Sequence, residues 1–408
     1  MIRFLTKRNI LLLLTVLFFF IAWNRTINLL YGMFALLAAT LVLAHVLPRY
    51  SLRGVAAARS LPTTAFEGDL VDIGIDVRNS SMASRSMIEV VDAFPAAEPG
   101  AQNPMTFIAR LAGRKKRSYS FKLQCYKRGE YRIGPLALTS SYPLGISTAR
   151  KEVIGSEVPL LVFPEVFDIV KLPLVSGSAA PMSGVEAASK AGGSEEFFGT
   201  REYRQGDSLR YIHWPSTARH SQLIVKEFEI RASVEVTIVI DLHRKSEIGT
   251  GKETTLEYAV KIAASTAKFS LDRGHTVQLV CFGKDECIIP AAKGFSQFAR
   301  ILEALAKVRA DGSVSFPQAV NRASEMMRDG GTAILVFPDS LLKSDQLSYS
   351  LNLLKSRRIG PLCVVLDEAS FSGVGDKRAC VSPQGLIADG IPSYRISRGT
   401  SLREVFAL

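Results

Sequence analysis

Two apolar runs at the start of the chain constrain its fold more than any other feature. The first extends from Asn9 to Trp23 and the second from Leu29 to Leu47. Because a helix rises about 1.5 Å per residue, the second run can cross the hydrocarbon core of a bilayer, and the first comes close to that length. The sequence therefore predicts a transmembrane hairpin over residues 1–50, with helices at about 9–27 and 29–47.

Basic residues predict the orientation of this hairpin. They lie on its two outer flanks: Arg3, Lys7, Arg8, Arg49, Arg53 and Arg59. Only Arg25 lies between the two runs, so the positive-inside rule places both flanks in the cytoplasm. A cleaved signal peptide starts in a similar way, but no small-residue cleavage site follows Trp23 and a second span comes at once. We expect a protein of the cytoplasmic (inner) membrane whose soluble domains lie in the cytoplasm.

Composition argues against nucleic-acid binding and against a zinc or C-x-x-C cysteine site in the soluble part. The formal net charge is +12, but no DNA- or RNA-reading motif accompanies it, which argues against nucleic-acid binding. The five cysteines are scattered through the chain: Cys125, Cys281, Cys287, Cys363 and Cys380. They form no C-x-x-C pair and no zinc-type spacing with histidine, so we interpret them as reduced core residues of a cytoplasmic protein.

Residues 51–167 show the alternation that is typical of β-strands. Leu70–Val77 alternates in its second half, and along Tyr119–Cys125 apolar residues alternate with polar ones. Short strands separated by Gly, Pro and Asn turns predict a β-sandwich of immunoglobulin type. We interpret a basic cluster at residues 114–117 as a solvated hairpin tip, with binding of lipid headgroups as the alternative. A linker rich in Gly, Ser and Ala is predicted at residues 168–195.

The segment 196–231 has the most unusual composition in the chain. Its stretches Phe198–Arg219 and Leu223–Glu229 combine four arginines with several acids, a histidine and a tryptophan. Its candidate site residues are Arg201, Glu202, Tyr203, Gly206, Asp207, Arg210, Trp214, Arg219 and Glu227. Arginine–carboxylate pairs are planar and directional. The block is therefore predicted to be either an ion-pair network that fastens it to the next domain or a docking surface for a partner.

This block resembles the signature of a bacterial family called domain of unknown function 58. The signature has the pattern R-E-Y-x-x-G-D-x-x-R-x-I-x-W, followed by A-R and then by a strand ending in E-F-E, and the chain matches it from Arg201 to Phe228. Members of that family resemble companions of MoxR-type AAA+ ATPases and of transglutaminase-like membrane proteins. The resemblance implies a membrane-anchored adaptor that works in the assembly or maturation of envelope or metal-dependent partners.

From residue 232 to 408, apolar strands alternate with helical stretches. Three buried strands each end in an acid: Val234–Asp241, Thr332–Asp339 and Leu362–Asp367. This alternation predicts an α/β doubly wound fold with a parallel sheet, whose acids lie at the carboxyl edge where such folds bind ligands. The domain resembles the von Willebrand factor A-like domain of the same family.

Metal-binding relatives of that fold carry D-x-S-x-S after the first strand, together with a distant Thr and an Asp after a later strand. Here Asp241 and Asp339 are present, but His243 and Lys245 occupy the two serine positions. The Thr has two candidate counterparts: Ser313 and Ser315. A lysine cannot ligate a hard cation, and its charge repels one. We therefore expect no cofactor, with Mg²⁺ disfavoured, and predict an ion pair of Lys245 with Asp241 or Asp339.

No common catalytic motif occurs in the sequence. The patterns G-x-S-x-G, Walker A, H-E-x-x-H and paired C-x-x-C are all missing. The sequence therefore predicts a non-enzymatic adaptor or scaffold. Two alternatives stay open: a hydrolase that acts through Asp207 and His213, and a sensor of the envelope or of a lipid surface.

Overall fold

The computed structural model describes residues 7–25, 27–174, 195–205, 207, 209–220, 222–230, 233–372 and 384–407. For residues 195–199, 220 and 226–230 only the backbone is described. The chain divides into two compact units, Met1–Phe163 and Pro164–Leu408. Most of the predicted linker (175–194), as well as Gly206 and Cys380, lies outside the described residues.

The first unit begins with two long apolar helices, α1 (Lys7–Arg25) and α2 (Asn28–Leu52). Both are long and apolar enough to cross a membrane, with a mean hydropathy of 1.4 and 2.1. They contact each other through Phe19 and Phe34, whose ring centroids lie 5.1 Å apart. The prediction of two apolar N-terminal helices is confirmed. Helix α2 continues beyond Leu47, where its apolar run ends, and its last residues, Ser51 and Leu52, are buried.

Ten strands follow the two helices. They are β1 (Val55–Ser60), β2 (Thr64–Phe66), β3 (Leu70–Asn79), β4 (Arg85–Asp92), β5 (Met105–Leu111), β6 (Lys116–Gln124), β7 (Gly129–Ile133), β8 (Leu136–Ser140), β9 (Ala149–Glu152) and β10 (Val158–Phe163). They form three sheets, with strand orders β1-β3-β6, β5-β4-β8-β9 and β2-β10-β7. Burial alternates along β3, so each strand sends one row of side chains into a shared core, which includes Ile73, Ile88 and Ile108. The predicted β-rich domain is confirmed in its strand content.

A buried ion pair lies inside this β-domain. Arg59 Nε donates to Asp92 Oδ2 at 2.7 Å, and Arg59 Nη2 donates to the other carboxylate oxygen at 2.5 Å. Arg59 Nη1 also donates to the carbonyl of Ile133 at 2.7 Å. The two charged side chains are 1% and 0% exposed, so the pair ties strand β1 to strand β4 from within the fold.

The second unit opens with residues 164–174, which pack on the α/β domain. The Phe167 backbone N–H donates to Ser265 Oγ at 3.0 Å, and the Phe167 ring lies 5.7 Å from that of Phe406. Ile169 and Leu172 are buried. The first part of the predicted linker, residues 168–174, is therefore packed, because these apolar side chains have a core to enter.

A small two-stranded hairpin comes next. Strands β11 (Glu195–Glu202) and β12 (Ile224–Ile230) pair in antiparallel fashion. Between them lie a short 3-10 turn (Leu209–Tyr211) and helix α3 (Trp214–His220). This hairpin arm, residues 195–230, carries the signature block.

A six-stranded sheet forms the core of the second unit, in the order β17-β16-β13-β18-β19-β20. Its strands are β13 (Glu235–Ile240), β16 (Thr276–Phe282), β17 (Glu286–Ala292), β18 (Thr332–Pro338), β19 (Gly360–Leu366) and β20 (Ser393–Ile396), and a short hairpin adds β14 (Gly249–Thr250) and β15 (Glu253–Thr254). The helices are α4 (Thr255–Asp272), α5 (Phe295–Lys307), α6 (Phe316–Met326), α7 (Asp345–Ser356), α8 (Glu368–Phe371), α9 (Gln384–Ala388) and α10 (Leu402–Val405), with a 3-10 turn at Asp339–Lys343. The predicted alternation of strands and helices is confirmed as a general layout.

One strand departs from the predicted parallel sheet. Strand β17 pairs with β16 in antiparallel fashion, and no strand was predicted at its position, Glu286–Ala292. Only residues 283–285 connect the two strands. A connection this short can join antiparallel neighbours but not parallel ones, which need a crossover of a dozen or more residues.

Candidate functional site

The hairpin arm folds back on itself through backbone hydrogen bonds. The Tyr203 N–H donates to the carbonyl of Leu223 at 2.8 Å, and the His213 N–H donates to the carbonyl of Ile224 at 2.8 Å. Ile212 bridges to Val225, and both side chains are buried. The connection between β11 and β12 therefore runs alongside β12. These backbone hydrogen bonds fix the position of the segment that carries the polar side chains.

Arg201 and Asp207 form the central ion pair of the arm. Arg201 Nη1 donates to Asp207 Oδ2 at 2.7 Å and Arg201 Nη2 donates to Asp207 Oδ1 at 2.8 Å. The Arg204 backbone N–H adds a third hydrogen bond to Oδ2 at 2.8 Å. The hydrogen bond from Arg201, followed by that from the Arg204 backbone, lowers the pKa of Asp207 to about 2. The carboxylate is therefore ionised at neutral pH, and both of its oxygens are engaged.

His213 lies just before helix α3 and contacts its first turn. Its Nδ1 lies 2.7 Å from Ser216 Oγ, and its carbonyl accepts hydrogen bonds from the backbone N–H groups of Ser216 and Thr217. Thr217 Oγ1 in turn accepts from the Ile224 N–H at 3.1 Å. These contacts satisfy backbone donors that a helix start leaves open, and they also create a histidine–serine contact.

Several of the other signature residues whose side chains the structure describes are exposed. Trp214 and Leu209 are each 65% exposed, and Arg210, Arg219 and Glu202 are exposed as well. Gly206 lies outside the described residues, and of Glu227 only the backbone, within β12, is described. The structure brings Arg201 and Asp207 together and leaves Trp214 and Arg210 on the surface.

The second candidate site is the carboxyl edge of the six-stranded sheet. Asp241, directly after β13, accepts a hydrogen bond from the His243 N–H at 2.9 Å and one from Ser246 Oγ at 2.6 Å. Burial raises the pKa of Asp241, against the opposing effect of the Ser246 hydrogen bond. The predicted ion pair is wrong: Lys245 is exposed, and no pair between Lys245 and Asp241 or Asp339 occurs in the part of the chain that the structure describes.

The two remaining acids of this edge have different partners. Asp339 Oδ1 accepts from the Glu368 N–H at 3.2 Å. Asp367 Oδ2 accepts from Arg395 Nη2 and from Ser397 Oγ, each at 3.1 Å. Burial raises the pKa of Asp339, and the charge of Asp367 contributes to the same shift. Sequence reasoning missed Ser246, Arg395 and Ser397 as partners, since none of them lies in a recognised motif.

This arrangement differs from the D-x-S-x-S metal site of metal-binding von Willebrand factor A-like domains. Both oxygens of Asp241 already accept hydrogen bonds within the domain. A cavity lined by Asp241, Ser246 and Pro338 has a volume of about 10 Å³, which is enough for one water molecule at most. The described residues contain no group of three or more His, Cys, Asp or Glu that could hold a metal ion.

The fold and the two sites define a class of protein: a chain with two apolar helices of membrane-spanning length, a β-rich unit and an α/β unit with a charged hairpin arm. A family model described as "Protein of unknown function DUF58" matches residues 199–365. A protein of Bacillus subtilis called "Uncharacterized protein YeaD" is 24% identical over 283 residues, which are 66% of this chain and 66% of that protein. Both matches support the family that the signature block indicates.

Solved structures add nothing to this assignment. A CARDB domain from Pyrococcus furiosus covers 26% of this chain and 91% of its own length, at 13% identity and a TM-score of 0.19. A β-glucosidase from Listeria innocua covers 26% of this chain and 16% of its own length, at 13% identity and a TM-score of 0.17. Scores this low support neither a shared fold nor a shared function.

Proposed function

We propose that this chain is a membrane-anchored adaptor whose hairpin arm docks a partner protein in the cytoplasm. The observation that carries the proposal is that Trp214, Leu209, Arg210 and Arg219 are all exposed on the connection between the two strands of the arm. Tryptophan and arginine are enriched among the residues that dominate the energy of protein interfaces. A monomeric protein gains nothing in stability by exposing them together, so a partner surface with apolar and acidic groups fits this face.

The anchor is the pair of helices α1 and α2. Their length and hydropathy fit a transmembrane hairpin, and the basic residues on both outer flanks favour a cytoplasmic body. A reporter fused after Leu408 is expected to behave as cytoplasmic, and one inserted near Thr26 as external. Digestion of the body by protease added outside intact spheroplasts would contradict this orientation.

In this proposal the β-domain sets the distance between the membrane and the partner. The α/β domain supplies a second contact surface for the partner. We assign the β-domain to the immunoglobulin-like sandwiches because most of its strand pairs are antiparallel and enclose one core. We assign the six-stranded domain to the von Willebrand factor A-like folds, because its parallel sheet carries acids at the ends of β13, β18 and β19. By family resemblance the partners are a MoxR-type AAA+ ATPase and a transglutaminase-like membrane protein, in assembly or maturation of envelope or metal-dependent proteins.

Affinity capture from detergent-solubilised membranes tests the adaptor proposal. The wild-type chain is expected to recover an ATPase in stoichiometric amount. Trp214→Ala should reduce the recovery at least about tenfold, as loss of an interface hot spot does. The matched control is Phe295→Ala, which removes another exposed aromatic ring of the same unit. Equal recovery with all three chains would reject the arm as the docking face.

A hydrolase is the second candidate, and the 2.7 Å contact of His213 with Ser216 is the observation that favours it. A histidine beside a serine hydroxyl is the start of a nucleophilic pair. Asp207 is a poor base for such a site, because its pKa of about 2 leaves it little affinity for a proton. Turnover of a generic ester that is lost in Ser216→Ala, with partner capture unchanged, would favour the enzyme over the adaptor.

A further inference from the structure

The end of the β-domain that receives helix α2 gathers several segments that are distant in sequence. Ser51 Oγ of the last helical turn donates to the carbonyl of Ser86 at 2.8 Å. One residue beyond Arg53, the carbonyl of Gly54 accepts from the Ser80 N–H at 2.8 Å. The loop at residues 80–84 is therefore packed against the end of the helix.

The turn between β5 and β6 lies against the same loop. The Arg114 N–H donates to the carbonyl of Ser81 at 3.0 Å, and the carbonyl of Lys115 accepts from the Asn79 N–H at 3.0 Å. A Cβ atom on Gly113 would lie 1.9 Å from the carbonyl oxygen of Met82, so this close approach requires glycine. Arg114 and Lys115 are thus held at the end of the domain where α2 enters, together with Arg53.

Arg85 is the least expected residue of this region. It begins strand β4, opposite Leu111 at the end of β5, and it is only 5% exposed. Its guanidinium carbon lies 4.0 Å from the centroid of the Tyr50 ring. Its Nε and Nη1 are buried and have no hydrogen-bond partner among the described residues. A buried guanidinium with unpaired donors is unfavourable unless an anion is available to it.

The charge around Arg85 is not balanced locally by acids. The first 66 residues of the chain contain no Asp or Glu. Asp76 on β3 and Glu152 on β9 are already paired with Lys116 at 2.8 Å and with Arg150 at 3.1 Å. Arg53, Arg114 and Lys115 are exposed. This end of the domain therefore presents a surplus of cationic donors.

We propose that this junction site, formed by Arg53, Arg85, Arg114 and Lys115, binds the phosphodiester headgroup of an anionic phospholipid. The inference rests on the proposed anchoring, because Tyr50 and Arg53 follow directly on the apolar run of α2 and so lie at headgroup depth. Tyr50 covers the Arg85 guanidinium and is itself half exposed. Rotation of its ring is the movement that admits a headgroup oxygen to the unpaired donors.

The test uses the full chain purified in a neutral detergent. Its thermal midpoint is measured against rising concentrations of short-chain phosphatidylglycerol, phosphatidylcholine and inorganic phosphate. Phosphatidylglycerol should raise the midpoint, since a ligand that binds the native state stabilises it. Arg85→Gln should weaken the apparent affinity roughly tenfold, the effect of losing charge-assisted hydrogen bonds. The matched control is Lys122→Gln, which removes an exposed charge at the opposite end of strand β6.

Two further arms separate the possible outcomes. If Arg85→Gln does not fold, the triple variant Arg53→Gln, Arg114→Gln, Lys115→Gln changes only exposed residues and is expected to lose the same shift. An equal shift with phosphatidylcholine, or with inorganic phosphate alone, would overturn the assignment to an anionic lipid. An undiminished shift in the Arg85 and triple variants would overturn the site. Partner capture by the hairpin arm is measured separately, so failure of the adaptor proposal leaves this result unaffected.

Discussion

Two arginine–aspartate pairs, each held by two hydrogen bonds, lie in opposite environments. Arg59 and Asp92 in the β-domain meet through two hydrogen bonds, as do Arg201 and Asp207 in the hairpin arm. The first pair is 1% and 0% exposed, and the second is 34% and 15% exposed. Arg59 binds through Nε and Nη2 and Arg201 through its two Nη atoms, but the surroundings decide what each pair does.

The pKa of the two carboxyls shows the difference. Burial raises the pKa of Asp92 despite the opposing charge of Arg59, whereas hydrogen bonds from Arg201 and the Arg204 backbone lower that of Asp207 to about 2. In the buried pair, desolvation outweighs attraction, and removal of one member strands a charge in the core. In the arm, water stays close, so the pair orders a loop and contributes little to global stability.

The largest expected effect is at the buried pair. Arg59→Met should lower the free energy of unfolding of the first unit by about 3–5 kcal/mol, because Asp92 is left charged and unpaired in the core. Thermal unfolding of the full chain in detergent measures it. The double variant Arg59→Met, Asp92→Leu is expected to recover much of the loss. A loss below about 1 kcal/mol in the single variant would contradict a structural role for the pair.

A smaller effect is expected in the arm. If Arg201, Asp207, Arg210 and Trp214 formed one buried network, loss of any member would cost about 3–5 kcal/mol. Because Arg201 and Asp207 are partly exposed, Arg201→Met should cost about 1 kcal/mol or less. Hydrogen exchange of the amides at residues 199–212 is the sensitive readout, and it should speed up. Arg210→Met, the exposed control, should leave exchange unchanged, and a large loss in both variants would restore the network hypothesis.

The pH dependence of the two pairs should have opposite signs. The pKa of Asp207 is below its usual value of 3.8, so its contribution to stability is present above about pH 4 and is lost as the pH falls toward about 2. The pKa of Asp92 is raised, so its ionisation opposes folding as the pH rises from 3.8 through the folded value. The thermal midpoints of wild type, Asp207→Asn and Asp92→Asn are measured as a function of pH. The difference between wild type and each variant, plotted against pH, gives the two slopes. Slopes of the same sign would show that burial does not dominate at Asp92.

The smallest effect is expected at Asp241, at the carboxyl edge of the sheet. Its carboxylate accepts a hydrogen bond from the Ser246 hydroxyl, whereas the carboxylates of the two pairs accept from an arginine. Because both oxygens of Asp241 are satisfied within the domain, Mg²⁺, Mn²⁺ and Zn²⁺ should give no binding at micromolar affinity in calorimetry with the full chain. Binding that disappears in Asp241→Ala would reverse this prediction. His243→Ser with Lys245→Ser is the gain-of-function control, since it restores the serine positions of the metal-binding relatives.

The coarse architecture could be predicted from the sequence because its signals are local. Apolar length marked α1 and α2, alternation marked the strands of the β-domain, and acids after apolar strands marked the edge of the sheet. Strand β17 was missed because its residues are half exposed and carry no strong alternation. Lys245 was assigned the wrong partner, since four residues of sequence separation from Asp241 do not fix the direction of a side chain.

The sequence by itself determined the two apolar helices, the β-rich and α/β regions and the resemblance of the block from Arg201 to Phe228 to a family signature. Only the tertiary structure decided that Arg201 pairs with Asp207 while Trp214 is exposed, and that Ser246 holds Asp241. It also brought the end of α2, the loop at residues 80–84 and the turn at Arg114 together around Arg85. The reason is that periodicity records the environment of each residue along its own element. Which distant elements become neighbours depends on strand pairing and packing, and no local pattern encodes that choice.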